Sequence, residues 1–260
     1  MSANHPAISW LMCSNVADNA LRQAIASCLD QSFTDFELLL VANGPQHAEV
    51  ASMVAGWFGD DPRVSVLTTE VRHLIFSLNL GLHHARGEFI ARMDGDDVAY
   101  HERLAQQFNF MKTQPQIAVL GSAYELIDAD GRLLRRVELP LTDRDIRRAL
   151  FRGNPFCHPA VMMRRRIVLD AGGYFGGLHA EDYDLWCRLA VDRSLQFANL
   201  RDALIGYRAI PAGLARRARS AYASVAAAQW RNFVAGAGLA WAGAALLTMA
   251  KATLRSARPR

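Results

Sequence analysis

The sequence predicts an α/β fold, a three-layer sandwich with a mostly parallel central sheet and extra helices at the C-terminus. Three observations carry this. Short apolar runs alternate with segments of three-four apolar spacing across residues 7–93, and such alternation builds a parallel sheet covered on both faces. The composition, 51% hydrophobic and 21% charged over 260 residues, is that of a globular chain able to bury a substantial core. No fixed-period repeat or low-complexity linker is visible before residue 210. Residues 1–210 therefore read as one domain, and 211–260 as a basic, Ala-rich helical tail.

The elements follow in order. "AISWLMC" is the first strand, and Ala17, Leu21, Ala24, Ile25, Cys28 and Leu29 give an amphipathic helix after it. "FELLLVA" is the second strand, closed by the turn signal Asn43-Gly44-Pro45. Val50, Met53, Val54, Trp57 and Phe58 share a helical face. "RVSVLTT" is a third strand, Leu74, Leu78, Leu82 and Ala85 mark a third helix, and "EFIARM" is a fourth strand. "RLAQQFNFM" is helical. "IAVLGSAYELID" and "RLLRRVEL" flank Ala129-Asp130-Gly131 as a hairpin.

The fourth strand runs into Asp94-Gly95-Asp96-Asp97, three carboxylates in four positions. Their mutual repulsion, and their desolvation if even partly buried, need compensation. A divalent cation is the strongest answer, because Mg²⁺ and Mn²⁺ take oxygen ligands and share them with phosphates. In parallel sheets ligands bind beyond the carboxyl ends of the strands, where this cluster falls. The plainer reading is a solvated turn with Asp97 as an N-terminal charge for the next helix. A second acidic site opens the helix "EDYDLWCRLA". Glu181 and Asp182 there suit either N-terminal capping or a general base. Between the two sites, His158 stands between Pro155 and Pro159, which restrict its backbone; read alone, such a histidine is more often structural than catalytic.

Taken together, "LRQAIASCLDQSFTDFELLLVANG", "SLNLGLHHARGEFIARMDGDD", "RLAQQFNFM", "IAVLGSAYELIDADG", "NPFCHPAVMMRR", "GGYF" and "EDYDLWCRLA" resemble, in order, the family 2 glycosyltransferases with their GT-A, Rossmann-like nucleotide-sugar-binding fold. The resemblance spans roughly residues 7–208. It implies transfer of a sugar from a nucleoside diphosphate donor to an acceptor hydroxyl, usually with inversion, in the assembly of cell-surface polysaccharide, lipopolysaccharide or glycolipid. By position it implies that Asp96, with Asp94, holds Mn²⁺ or Mg²⁺. Cys13, Asn15, Asn43, Asn79, Asp94 and Gly95 fall where the family binds the nucleotide sugar. Asp182 resembles the catalytic base, and His158, Glu181 and Trp186 the acceptor site. The first strand ends in Cys13-Ser14-Asn15-Val16 where the family commonly has Pro-Val-Tyr-Asn, and the second in Ala42-Asn43 where it often has an Asp pair. The nucleotide base therefore stays open, although the Asn43 amide can pair with a pyrimidine edge.

The chemistry agrees on its own terms. A leaving diphosphate needs a cation, and a poorly nucleophilic hydroxyl needs a base. Two other readings keep the carboxylates: a nucleotide-sugar-binding module without catalysis, and a sugar nucleotidyltransferase. The latter wants a Gly-rich basic loop for triphosphate, and residues 8–20 hold neither glycine nor a basic residue.

Nine of the 29 basic residues lie after Asp202, where no acidic residue occurs; the first 202 residues carry the other 20 against all 25 acidic ones. The tail is thus basic and the body mildly acidic. Residues 233–250 carry no charge, and Trp230, Phe233, Leu239 and Trp241 suit an interfacial helix. Contact with an anionic membrane surface is the leading expectation for the tail, ahead of packing on the protein or a partner, and of spanning. The partners expected are the donor, a saccharide or lipid-linked saccharide acceptor and such a surface, but no nucleic acid. The N-terminus lacks the pattern of a signal peptide and the four cysteines are scattered. A cytoplasmic protein, peripheral on the inner face of the plasma membrane, is the corresponding expectation.

Overall fold

The structure is a computed structural model that describes residues 5–176, 179–209 and 219–256. The first half is built from β1 (Ile8–Ser14), α1 (Asn19–Leu29), β2 (Phe36–Asn43), α2 (His47–Phe58), β3 (Val64–Thr69), α3 (Leu74–His84) and β4 (Phe89–Asp94). β5 (Val98–Ala99), α4 (Arg103–Thr113), β6 (Ile117–Ile127), β7 (Leu133–Val137), α5 (Asp143–Leu150), β8 (Met162–Arg164) and α6 (Arg165–Asp170) follow. Last come α7 (Glu181–Leu189), β9 (Gln196–Arg208), α8 (Arg219–Val234) and α9 (Leu239–Ser256).

The strands form one sheet in the order β3-β2-β1-β4-β8-β6-β9-β5, with β7 beside β6. β3, β2, β1 and β4 are mutually parallel, as predicted. The other half is mixed. β8 is antiparallel to both β4 and β6, β9 is parallel to β6, and β5 is antiparallel to β9. The strands of the β6–β7 hairpin fall inside the two predicted stretches. β5 and β8 are too short, two and three residues, to leave a period in the sequence.

The alternation of side chains along each strand sets the layers. Ile8, Trp10 and Met12 of β1, with Phe89, Ala91 and Met93 of β4, pack with α1, α2 and α4 residues such as Leu21, Val54 and Leu104. Leu11 and Ile90 point the other way, toward Leu78 and Leu82 of α3, Ile146 of α5, Val168 of α6 and Trp186 of α7. Arg92 shares the face of Ile90, and is therefore delivered under α7.

α8 and α9 form a hairpin laid against α7. Ala228 and Trp241 are buried in the same core, and Trp241 packs on Phe151 with ring centroids 4.6 Å apart. Gln229 Nε2 donates to Tyr183 Oη (2.8 Å), Asn232 Nδ2 to the Cys187 carbonyl (2.6 Å), and Thr248 Oγ1 to Gln229 Oε1 (2.8 Å). Arg231 pairs with Asp184, which also takes Arg188 at 2.9 Å. Of the four aromatic and aliphatic residues expected to face a membrane, Trp241 is thus committed to the protein, whereas Trp230 and Leu239 remain exposed. Among the described residues no helix is long and apolar enough to cross a membrane. The tail's Arg216, Arg217, Arg258 and Arg260 lie outside the described residues.

Candidate active site

The carboxyl ends of the parallel strands meet at one crevice. Cys13 of β1 stands opposite Val41 of β2 on one side and Asp94 of β4 on the other. The chain turns from the β2 side of β1 to the β4 side here, and such a reversal of strand order opens a ligand crevice in α/β sheets. Cys13, Asn15 and Asn43 line a recess of about 240 Å³ together with Ser14, Arg72, His73 and Leu74. The Asn15 side-chain oxygen, with its amide oriented to face the cation, accepts from Arg72 Nε (3.1 Å) and Nη2 (3.0 Å). Burial pushes the Cys13 thiol up to about 12, so it stays neutral. Three of the expected nucleotide residues therefore share a recess at the mouth of β1 and β2.

Beside it, Asp94, Asp96 and Asp97 offer carboxylate oxygens all within 4.8 Å of one another. Gly95 lets this turn pack closely on α1, since a Cβ there would stand 3.1 Å from Leu21 Cδ1. Asp97 is not the exposed helix-terminal charge of the plainer reading. It is 1% exposed, its Oδ1 accepts from the Arg208 amide (2.8 Å), and its Oδ2 has no partner. Pairing of β5 with β9 brings Arg208 there. Burial, then the charge of Asp94, push Asp97 up to about 8, and the same two causes raise Asp96. Three hard oxygen donors on a short turn, one of them an unpartnered buried oxygen, fit a divalent cation of the Mg²⁺ or Mn²⁺ kind.

One partner was absent from the sequence reading. Arg92, 3% exposed, reaches Asp94 Oδ1 with Nη2 at 2.5 Å, while its Nε and Nη1 have no partner. Burial alone would lower its pKa, but the charge of Asp94 and the hydrogen bond to it more than offset this, and Arg92 is held above the ordinary arginine range. The signal was available: residues i and i+2 of a strand share a face, so an arginine two before Asp94 points the same way.

The second acidic group lies at the start of α7. Asp182 Oδ1 accepts from the Tyr183 amide (2.7 Å), and Oδ2 from Asn154 Nδ2 (2.5 Å). Burial, then the neighbouring Glu181 charge, raise Asp182 to about 6 against the lowering pull of those two hydrogen bonds. Ala180, just before, has φ 64° and ψ 35°, a left-handed conformation that costs a non-glycine residue about 1 kcal/mol or more and recurs at functional sites. Asp182 lines a cavity of about 600 Å³ between the 152–154 loop, the start of α7 and the α8–α9 hairpin.

His158 lies between the two groups. Its Nε2 is 3.0 Å from Tyr174 Oη and its Nδ1 3.8 Å from Glu181 Oε1. Burial, then the Arg92 charge, drive its pKa well below the ordinary range, so the ring is neutral. Two expected contacts are corrected. Trp186 is fully buried, packed on Phe156 and His158 with centroids 5.3 and 6.2 Å away, so it backs the His158 ring and lines no open surface. Asn79 spends both ends of its amide on the Tyr174 backbone, at 2.8 and 2.9 Å, and so ties α3 to the turn before α7 instead of facing the recess. Gly173, at φ 78°, makes this possible, because a Cβ there would meet Asn79 Oδ1 at 2.4 Å.

Residues 9–173 match the family model described as glycosyl transferase family 2. The O-antigen biosynthesis glycosyltransferase WbnJ of Escherichia coli is 34% identical over 202 residues, covering 77% of this chain and 79% of that one. The amylovoran biosynthesis glycosyltransferase AmsE of Erwinia amylovora is 33% identical over 189 residues, covering 73% and 70%. Among solved structures, the mannosyltransferase PcManGT of Pyrobaculum calidifontis, in complex with GDP-Man and Mn²⁺, superposes with a TM-score of 0.68 at 17% identity over 98% of this chain and 77% of that one. S. aureus TarS 1–349 with UDP-GlcNAc gives 0.64 at 16% identity over 85% and 66%. At these identities the structural likeness speaks for the fold.

Proposed function

The chain belongs to glycosyl transferase family 2, and we propose that its two acidic groups divide one inverting sugar transfer between them, Asp94 and Asp96 on the donor side and Asp182 on the acceptor side. The observation that carries this reading is the environment of Asp182. A carboxylate on the wall of a 600 Å³ cavity, raised to about 6, is ionised at neutral pH yet basic enough to take a proton. Asn154 and the Tyr183 amide fix its two oxygens, so the proton is received in one geometry. As the acceptor oxygen bonds to the anomeric carbon, its proton passes to Asp182. The bond from that carbon to the diphosphate breaks on the opposite face, and the nucleoside diphosphate leaves with the electron pair.

On the donor side, Asp94, Asp96 and Asp97 are the residues that would hold Mg²⁺ or Mn²⁺, which would supply Lewis-acid neutralisation of the leaving diphosphate. Cys13, Asn15 and Asn43 frame the recess for the nucleoside, and Gly95 lets the acidic turn beside it lie against Leu21 of α1. Arg92 keeps the cluster from repelling itself when no donor is present. The neutral His158, on Tyr174 and near Glu181, orients the acceptor side. The relatives named for O-antigen and amylovoran biosynthesis support a place in cell-surface polysaccharide assembly. Trp230, Leu239, Leu246, Leu247 and Met249 are exposed apolar residues of the hairpin, which supports peripheral contact with an anionic inner leaflet.

The test is transfer from a panel of nucleoside diphosphate sugars to saccharide and lipid-linked acceptors, with Mn²⁺ or EDTA, followed by NMR assignment of the product anomer. Inverted product from the parent and a loss of about 10²-fold or more in Asp182→Asn, with donor binding kept, are expected. Retained anomeric configuration, or parental turnover in Asp182→Asn, would refute the assignment. Transfer with nucleoside diphosphate release also separates this reading from a sugar nucleotidyltransferase, which releases pyrophosphate.

A further inference from the structure

Two arginines reach the acidic turn, and they hold it in different ways. Arg92 takes a carboxylate oxygen of Asp94, a position that a metal ion would also claim. Arg208, the last residue of β9, takes no carboxylate oxygen with its side chain. Its Nε donates to the Asp96 carbonyl (2.7 Å), its Nη1 to the carbonyls of Asp128 (3.3 Å) and Ala129, and its Nη2 to Gln23 Oε1 (3.1 Å). One half-buried guanidinium thereby joins the acidic turn to the turn between β6 and β7 and to α1. The backbone of the same residue adds a further contact, since its amide donates to Asp97 Oδ1 (2.8 Å). β9 delivers Arg208 there through two pairings: Gly206 lies opposite Val98 of β5, and Arg208 itself opposite Ile127 of β6. The carboxylates stay open to a ligand, because Asp96 gives Arg208 only its carbonyl and Asp97 Oδ2 has no partner.

A turn of this kind needs an outside support. Mg²⁺ demands near-octahedral oxygen geometry, whereas like charges on a short turn push their oxygens apart. We propose that Arg208 is a positioning residue for the metal site: its guanidinium fixes the backbone of the acidic turn so that Asp94, Asp96 and Asp97 converge on one cation. The proposal rests on the assignment of those carboxylates to Mg²⁺ or Mn²⁺. The guanidinium suits the task because its donors lie in one rigid plane and point in fixed directions. A lysine ammonium carries the same charge on a flexible stem and does not reproduce that fork. The sign of the effect separates positioning from plain electrostatics. A positive group beside a cation site repels the cation, so loss of charge alone would tighten metal binding. Loss of the clamp weakens it, by about 10- to 100-fold where a partner that orients a metal ligand is removed.

The experiment is titration of the full chain with Mn²⁺ alone, followed by the electron paramagnetic resonance signal of the free ion, in the parent, Arg208→Met, Arg208→Lys and Asp96→Asn. Circular dichroism at the titration temperature checks that each protein is folded. Both Arg208 variants keep the backbone amide on Asp97, so they test the guanidinium by itself. Each should bind Mn²⁺ at least about tenfold more weakly than the parent, with an unchanged spectrum. An affinity of Arg208→Met equal to or above the parent's overturns the proposal. Parental affinity in Arg208→Lys also overturns it, because charge alone would then be enough. A lowered melting temperature with parental Mn²⁺ affinity in the folded protein would make Arg208 a residue of the fold only, and refutes the proposal as well. If Arg208→Met melts below the titration temperature, Arg208→Lys decides alone. Loss of binding in Asp96→Asn with parental affinity in both Arg208 variants overturns the proposal and leaves the metal assignment standing. Parental binding in Asp96→Asn, or no binding by the parent, overturns both.

Discussion

Arg92 Nη2 stands 2.5 Å from Asp94 Oδ1, so β4 supplies both the acidic cluster and the charge that holds it together. Arg92 is almost wholly buried, Asp94 about a third exposed, and two of the arginine's donors have no other partner. The pair explains how the turn folds with three carboxylates crowded together.

Replacing Arg92 tests that account. Arg92→Met leaves Asp94 beside Asp96 and Asp97 without its cation. Removing one partner of a fully buried pair costs about 3–5 kcal/mol, and the partial exposure of Asp94 brings the expected loss to about 2–3 kcal/mol. Chemical denaturation in EDTA measures it. Added Mn²⁺ should recover more stability in the variant than in the parent, because Asp94 is then free for the metal. Equal metal response in both proteins would mean that Arg92 and the cation do not compete for Asp94.

Asp96→Asn should behave in the opposite way. Burial and the Asp94 charge already disfavour ionised Asp96, so removing its charge should leave the metal-free melting temperature unchanged or higher. A thermal-shift series with nucleoside diphosphates should lose its dependence on Mn²⁺, since a ligand stabilises only the state that binds it. A Mn²⁺-dependent shift equal to the parent's would remove Asp96 from the metal site.

Much of this geometry is legible in the sequence. The four parallel strands, the first three helices and the β6–β7 hairpin each span enough residues to leave a period, and Asp94, Asp96 and Asp182 stand at the ends of such elements. What escaped notice depends on contacts distant in sequence. Asp97 is buried because β5 pairs with β9, which brings the Arg208 amide 111 positions along the chain to its carboxylate. Asn154 opens the stretch NPFCHPAVMMRR, yet its partnership with Asp182 arises only where the loop after α5 meets α7. Trp186 and Asn79 show the same limit. A helix pattern tells which residues share a face, but not that the face carrying Trp186 packs wholly inward, nor that an amide will be consumed by a distant backbone. The uncharged stretch 233–250 gave no means of separating a surface for lipid from a surface for α7, and the hairpin divides its residues between protein and solvent.

The pH dependence of transfer follows from Asp182. Its carboxyl is raised to about 6 by burial and by Glu181, and the Asn154 hydrogen bond opposes that rise. The base works only when deprotonated, so kcat/KM should fall as pH drops through about 6. Asn154→Ala removes a group that stabilises the charged form, so the folded pKa rises and the acid limb moves to higher pH. A hydrogen bond to a charged group is worth about 1.5 kcal/mol or more, which corresponds to a displacement of about one pH unit. A pH–rate profile of both proteins decides the matter. A lower plateau with an unmoved limb would mean that Asn154 only supports the loop.

The outer face of the hairpin yields the last prediction. Deleting residues 211–260 is a poor probe of membrane contact, because it would strip Gln229 and Asn232 from α7 and Trp241 from Phe151, and expose core residues such as Tyr183 and Cys187. Leu246 and Leu247 are 61% and 66% exposed on α9, so Leu246→Asn with Leu247→Asn should change stability by no more than about 0.5 kcal/mol, as surface substitutions usually do. Full insertion of each leucine into an interface would contribute about 1.5–3 kcal/mol. Even half of that for the pair lowers partitioning by roughly tenfold, given that each 1.4 kcal/mol is a factor of ten. Co-sedimentation with vesicles of anionic lipid, compared with neutral vesicles, reads this directly. A parent that pellets with anionic vesicles and a double variant that stays in solution, both with the same melting temperature, is the expected result. Equal pelleting of the two proteins would exclude the apolar face of α9 as the contact, and pelleting by neither would exclude peripheral binding to such lipids altogether.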